Sequence, residues 1–293
     1  MIAVTGATGT IGQALVSQLL AGGHPVRVYV RNPARVAHLA DRVEIAIGDL
    51  DDPGALTAAL SGTTRLFLLD MAPSHVEHAI AAARVAGVRH IVKLSTYEAA
   101  SGSARVIGGW HAAREALIRD SGLAWTFLRP GQFMSNALMW AGMLAAQGAI
   151  FNAAPDGPVA PIDPADVAAV AACALTQPGH EGQIYPLTGP TVTTPRTQIA
   201  TLEHLLGREL RLIEISPDEE HRQLLAHNMP AELADGLRDL TLLLRSGEGA
   251  YRTDVVKAVT GRTPRDFESW AREHLAAFAV DLAQDQTNRR VQK

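Results

Sequence analysis

Four apolar or small residues, Ile2-Ala3-Val4-Thr5, run straight into Gly6-Ala7-Thr8-Gly9-Thr10-Ile11-Gly12, and a helical pattern starts at once. Three glycines at this spacing, between a strand and a helix, restrict the fold more than any other feature. The first permits a tight turn, the second lets a ligand approach the backbone, and the third lets the helix pack close on the strand. The helix N-terminus then presents unpaired N–H groups to an anion. This spacing predicts a dinucleotide pyrophosphate held at Gly6, Thr8, Gly9, Thr10, Ile11 and Gly12.

The next stretches agree. Short apolar runs at 26–30, 43–47, 65–69, 90–95 and 124–128 alternate with helical spacing at 53–60, 75–86 and 110–120. Strict alternation predicts an α/β fold of Rossmann type, with a doubly wound parallel sheet and helices on both faces. The runs are continuously apolar, as strands buried on both sides require. After residue 130 the pattern loosens. A helix is expected over 133–147, a loop over 153–161, a helix ending near Thr176 and a strand over 183–187. Thr194-Pro195 opens a helix to Leu206, and 210–215 reads as a further strand.

Composition narrows the partners. The 26 basic and 30 acidic residues of this 293-residue chain leave a formal net charge of −4, without the dense positive surface that nucleic acid needs. No apolar run is long enough to suggest a membrane span. Cys173 is the one cysteine, set among alanines, so a buried helix position and a reducing, cytoplasmic compartment fit. The expected partner is a small-molecule substrate, with no nucleic acid and no membrane, and a homodimer is allowed. No metal is expected, because His75 and His78 lack a third ligand at suitable spacing. No Gly-x-Ser-x-Gly elbow is present, which disfavours a hydrolase.

Cofactor choice rests on the end of the second strand. An acidic residue there would bind a ribose 2′-hydroxyl, but this chain has Arg31, followed by Arg35. Guanidinium groups suit a 2′-phosphate, so NADP(H) is the expected cofactor. Asp49 and Leu50 after the third strand are placed beside adenine. Leu69 and Asp70, Ser95, and Pro130 with Phe133 follow the fourth, fifth and sixth strands and complete the candidate set.

Val4-Thr5-Gly6-Ala7-Thr8-Gly9, Val30-Arg31-Asn32-Pro33, Gly48-Asp49-Leu50 and Val88-Arg89-His90-Ile91-Val92 resemble the NmrA-like, atypical branch of the short-chain dehydrogenase/reductase superfamily. So does 121–130, from Ser121-Gly122 to Arg129-Pro130. His111-Ala112-Ala113-Arg114-Glu115 is similar to the bacterial NADPH:quinone oxidoreductase subgroup, and Tyr185–Pro190 and Thr260–Pro264 extend the likeness towards the C-terminus. The resemblance implies a Rossmann domain, 1–150 with part of 160–190, and a smaller, mostly helical substrate domain, 151–280, before a polar tail, 281–293. It also implies a Tyr-x-x-x-Lys dyad, which this chain lacks. Anchored on Glu115, the two slots hold Gly108 and Ala112.

Without the dyad, a ketone has no matched acid, whereas a quinone becomes a stabilised anion that needs one less. An NADPH-dependent reductase of quinones or activated carbonyls is therefore the leading expectation. A non-enzymatic NADP(H) sensor and a non-redox cyclase or isomerase are the alternatives. His111 is the candidate proton donor, its other reading being a structural hydrogen bond at a helix start. Tyr97 is the second catalytic candidate, more a pocket wall than an acid. Phe133, Met134, Met139 and Trp140 form either an apolar substrate wall or the core face of one helix.

Overall fold

A computed structural model of the chain describes residues 1–101 and 105–279. The expected tail, 281–293, lies outside the described residues. The first part of the chain runs β1 (Ile2–Thr5), α1 (Thr10–Ala21), β2 (Val26–Val30), β3 (Glu44–Ile47), α2 (Pro53–Leu60), β4 (Arg65–Leu68), α3 (Pro73–Ala86), β5 (His90–Leu94), α4 (Glu98–Ser101), α5 (Arg105–Asp120) and β6 (Ala124–Pro130). There follow α6 (Leu138–Gln147), β7 (Ile150–Asn152), α7 (Pro164–Thr176), β8 (Gln183–Leu187), α8 (Pro195–Leu206), β9 (Leu212–Glu214), α9 (Pro217–Ala226), α10 (Ala231–Ser246), α11 (Val255–Thr260) and α12 (Phe267–His274).

Two compact units emerge. The first comprises Met1–Gly131, Pro164–Leu187 and Thr253–Pro264; the second comprises Gln132–Asp163, Thr188–Arg252 and the chain from Arg265 onward. This division falls at Gly131, where the sequence pattern suggests 150, and it returns α11 to the first unit. The helix expected over 133–147 starts a turn late, because Met134–Ala137 is a 3-10 turn and the α-helix begins at Leu138.

In the first unit seven parallel strands lie in the order β3-β2-β1-β4-β5-β6-β8. Both faces are covered. Leu56 and Leu60 of α2, Val76 and Ile80 of α3 and Ile118 of α5 share a cluster with strand residues Ala3, Leu66, Leu68 and Ile91. The alternate strand residues Ile2, Val4, Phe67 and Val92 are equally buried, and α1 and α7 pack on each other with Leu15, Leu19, Val167 and Val170 enclosed. Each such side chain contributes about 1.5–3 kcal/mol by leaving water, so the sheet is held from both sides. The helix ends follow local chemistry. Asp52 accepts from the backbone N–H groups of Gly54 and Ala55 at the start of α2, with Pro53 at the first position.

In the second unit β7 and β9 form a two-stranded parallel sheet, Ile150 facing Leu212. The strand expected over 210–215 is thus only three residues long, and its partner at 150–152 is too short to show a period. Trp140, Leu144, Ile150, Ile199, Leu202, Phe267, Trp270 and Phe278 make the core. Thr194 and Thr197 cap α8 reciprocally, as the Thr194-Pro195 start predicts. No helix among the described residues is long and apolar enough to cross a membrane.

Two glycines of the first loop have distinct duties. Gly6 has φ of 66°, a left-handed conformation that glycine adopts without strain. A Cβ at Gly12 would lie 2.1 Å from the Gly6 carbonyl oxygen, whereas one at Gly9 would lie 3.4 Å from it. Gly12→Ala should therefore lower stability by about 1–3 kcal/mol, as overpacking does, while Gly9→Ala should leave it nearly unchanged; urea denaturation of the two variants checks this. At the other end of the sheet, His90 shares a 2.9 Å hydrogen bond with the Thr126 hydroxyl, which donates to the His180 carbonyl. Burial, above all, holds both imidazoles below their ordinary value. The unfolded chain then takes up protons that the folded one refuses, so this contribution is complete above about pH 6.5 and is lost as pH falls below it. The melting temperature should drop from about pH 6.5 towards about pH 5, and His90→Gln should flatten that slope.

Candidate functional site

The strand order reverses direction between β1 and β4, so the loops that leave these two strands part from each other. Ligands of open α/β sheets bind in that crevice, outside the carboxyl ends of the strands. A cleft of about 240 Å³ opens there. Thr5, Gly6, Ala7 and Thr8 line it from the β1 loop, Tyr29 to Arg31 from β2, Gly48 to Asp51 from β3, and Leu69, Met71 and His75 from the segment after β4. Thr5 ties the two parting loops together, its hydroxyl oxygen accepting from the Leu69 N–H at 2.8 Å. Gly9 precedes α1 with no side-chain cap and no acidic residue in the first turn. The N–H groups of Thr10, Ile11 and Gly12 are thus left to an external anion, which fits a pyrophosphate.

Six of the expected cofactor residues line this cleft: Gly6, Thr8, Arg31, Asp49 and Leu50, with Leu69 opposite. Gly9, Thr10, Ile11 and Gly12 form the turn into α1 instead. Arg31 is 82% exposed at the mouth, 3.7 Å from the Asp49 carboxylate. Arg35 sits in the exposed 3-10 turn Pro33–Leu39, outside the cleft lining, because Asn32 caps that turn and carries the chain away. The Tyr29 hydroxyl donates to the Asp49 carbonyl at 2.8 Å. Burial, with Asp52 and Asp49 nearby, pushes this phenol up to about 12. Asp49, Asp51 and His75 bring one ligand atom each within 4.8 Å of one another. Their own bonds account for the arrangement: His75 Nδ1 accepts from the Met71 N–H and Nε2 meets Asp51 at 3.1 Å.

Behind the cleft lies a buried network of charges. Asp70 and Lys93 are both fully buried and pair at 2.8 Å, with Arg114 3.3 Å from the other Asp70 oxygen. Lys93 also donates to the Leu94 carbonyl, and its Nζ stands 3.5 Å from His111 Nδ1. A second buried carboxylate, Glu115, accepts from Ser95 at 2.6 Å and from Arg129 and Arg119, so α5 is bonded to β5 and β6. Two expectations change here. The Asp70 carboxylate is ion-paired and the Ser95 hydroxyl donates to Glu115, both buried, and neither residue lines the cleft. His111 does not titrate near neutrality: burial, then Lys93 and Arg114, push it down to about 3. It is a neutral imidazole, not a proton-donating imidazolium.

The remaining candidates scatter. Tyr97 follows β5, its N–H bonded to the Pro130 carbonyl at 3.0 Å, and its ring is half-buried. Pro130 ends β6, beside Leu187 of β8. Phe133 belongs to the second unit. There Met134 and Trp140 are core residues, while Met139 is exposed, so the four do not form one apolar wall. Cys173 is half-buried in α7, and burial raises its thiol. Sequence reasoning missed Lys93, Glu115 and Arg129. The signal for the first was present, a lysine inside the continuous apolar run Ile91-Val92-Lys93-Leu94, where only a paired charge survives.

The geometry agrees with known proteins. The model of the NAD(P)H-binding family matches residues 6–178. Over 96% of its length the chain is 41% identical to the (4-alkanoyl-5-oxo-2,5-dihydrofuran-3-yl)methyl phosphate reductase of Streptomyces griseus, all of which is covered. It is 38% identical, with the same coverage of both chains, to the NAD(P)H azoreductase of Xenophilus azovorans. Among solved structures, the NADPH-dependent quinone oxidoreductase QOR2 of Escherichia coli, complexed with NADPH, superposes with a TM-score of 0.82 at 30% identity, covering 94% of this chain and all of that one. With a switch-point cleft, a glycine loop of the required geometry and reductases as full-length relatives, the chain belongs to the NAD(P)H-binding family and is an oxidoreductase.

Proposed function

We propose that the chain is an NADPH-dependent reductase of quinones or similarly activated small acceptors. The observation that carries this reading is the cleft at the β1–β4 switch point, with an exposed Arg31 at its mouth, 3.7 Å from Asp49. On this reading the unpaired N–H groups at the start of α1 hold the pyrophosphate, Thr8 and Gly6 form the floor beneath it, and Leu50 and Leu69 enclose adenine. Arg31 turns to the 2′-phosphate. The bound dinucleotide supplies a hydride. Pro130 and Tyr97 belong to the nicotinamide end. The related reductases act on an azo bond, a quinone and an alkanoyl furanone phosphate by their names. All three acceptor types delocalise the charge that hydride uptake creates, which suits a site without a Tyr-x-x-x-Lys dyad. A cytoplasmic location keeps Cys173 a thiol. A homodimer is compatible with the reading, and light scattering decides it.

Asp49 makes the cofactor preference moderate, because its carboxylate accepts from a ribose hydroxyl and repels a phosphate. NADPH should bind roughly tenfold more tightly than NADH, about 1.4 kcal/mol. Arg31→Asp should reverse the order and Asp49→Asn should widen it, both by calorimetry. Equal affinities in all three proteins would defeat the assignment. Activated quinones should also be reduced far faster than unactivated ketones of similar size, followed by NADPH oxidation across a matched panel. Absence of turnover with every quinone, azo compound and activated carbonyl would overturn the reductase reading.

A further inference from the structure

The Lys93–Asp70–Arg114 cluster ties β5 and α5 to the end of β4, a task that apolar packing could also perform. A buried ion pair is a weak source of stability, and well-packed apolar residues usually replace one at no loss. Its position is informative. Asp70 stands between Leu69 and Met71, which both line the dinucleotide cleft, so the cluster begins one residue behind the cleft wall. Lys93 is ion-paired with Asp70 at 2.8 Å and donates to the Leu94 carbonyl at 2.8 Å. Its Nζ also stands 3.5 Å from His111 Nδ1.

An ammonium can only donate. The ring nitrogen that it faces must therefore carry a lone pair, and the single proton of the neutral imidazole sits on Nε2, on the side of the ring away from the cluster. His111 is half-buried, not enclosed. We propose that Lys93, held by Asp70 and Arg114, is a positioning residue that locks His111 as the Nε2–H tautomer, a neutral hydrogen-bond donor to the oxygen or nitrogen on which the acceptor gathers charge. This rests on the reductase reading. The chemistry balances simply. The acceptor takes a hydride from the reduced dinucleotide, gaining two electrons and a negative charge on the heteroatom. His111 donates a hydrogen bond to that atom and keeps its proton, and water protonates the product after it leaves. A neutral imidazole in such a role is physically sound, since it stabilises charge without being consumed by it.

The surrounding charges favour this state. Burial first, and then Lys93 on β5 and Arg114 on α5, hold His111 far below its ordinary value. Asp70 is paired to both cations, Glu115 is paired to Arg129 of β6, Glu98 of α4 accepts from Thr96, and Arg84 of α3 donates to the Ser121 carbonyl. None of these carboxylates is directed to the imidazole.

The test is nitrogen NMR of the full-length wild-type protein labelled with 15N-histidine, the His111 signals assigned by their loss in His111→Gln. The expected result is an Nε2–H tautomer that does not titrate between about pH 5 and about pH 8. An Nδ1–H tautomer, or a midpoint near the ordinary histidine value, overturns the proposal and needs no assay. Turnover supplies the second arm. A glutamine amide can place its N–H where Nε2 stands and an asparagine amide cannot, so His111→Gln should keep the hydride-transfer rate within a few-fold. His111→Asn should lose about 10²-fold, the usual effect of removing one donor from a developing anion. Equal rates in the two variants overturn the donor role. Lys93→Met should release the tautomer lock, so that an Nδ1–H form of His111 appears in the nitrogen spectrum; an unchanged Nε2–H tautomer in folded Lys93→Met overturns the positioning role. If the wild type reduces no acceptor while the tautomer is as stated, the reductase reading fails and the donor role fails with it. If turnover is intact and the tautomer is Nδ1–H, this proposal fails alone.

Discussion

Seven parallel strands must each be covered on both faces, and every crossover between them must be right-handed. A sheet built that way outward in both directions from β1 has one place where neighbouring connections leave for opposite faces, between β1 and β4. Everything functional in the first unit derives from that parting. The β1 loop must turn within a few residues, which Gly6 allows by its left-handed φ. It must then launch α1 against the same loop, which Gly12 allows by the absence of a Cβ. The cleft is the space left over, and the free N–H groups at its edge follow from a helix begun without a side-chain cap.

The same sheet explains the buried charges. Strands β4, β5 and β6 end side by side, and α5 returns across them. A strand wholly enclosed by apolar neighbours would accept only apolar side chains, yet Lys93, Arg129 and, just beyond the strands, Asp70 and Ser95 are buried there. Each is compensated from α5 or an adjacent strand. Glu115 collects Ser95, Arg129 and Arg119, and Asp70 collects Lys93 and Arg114. Arg119 also lies over the rings of Trp125 and Phe127, about 5 Å from each, so one face of β6 is gripped by cation–π contact as well as by ion pairs. Removing one partner from such a set leaves a charge buried and alone, at a penalty of about 3–5 kcal/mol. The network therefore fixes α5 rigidly over the strand ends, where His111 is carried.

Much of this was legible in the chain. The strands and helices of the first half fall within a few residues of where their apolar periods put them, because local pattern and tertiary burial agree there. The Thr194-Pro195 start of α8 was legible for the same reason. Positions whose role depends on a distant partner were not. Asp70 and Ser95 stand at strand ends where ligand contacts are common, and only the structure shows that Lys93 and Glu115 have already claimed them. Arg35 is four residues from Arg31, and the Asn32 cap sends it elsewhere. The strand at 150–152 is too short for alternation to be read, and its pairing with β9 spans sixty residues. His111 was recognisable as important by type and place, but its protonation depends on burial and, after that, on a lysine eighteen residues away.

That last case bears on how a reductase of this family can work without a phenol and a lysine at Gly108 and Ala112. A Cβ at Gly108 would lie 2.5 Å from the Glu98 carbonyl oxygen, so no tyrosine fits that place while α4 and α5 pack as they do. The missing dyad is thus a structural commitment and not a single lost residue. What stands nearest in kind is a lysine one strand away whose ammonium faces an imidazole instead of a phenol. In the dyad a cation makes an acid stronger; here burial first, and then the cations, keep a base from accepting a proton. The consequence is a site that can stabilise negative charge and cannot readily neutralise it. Acceptors able to carry that charge themselves, by delocalising it, are the ones such a site can serve.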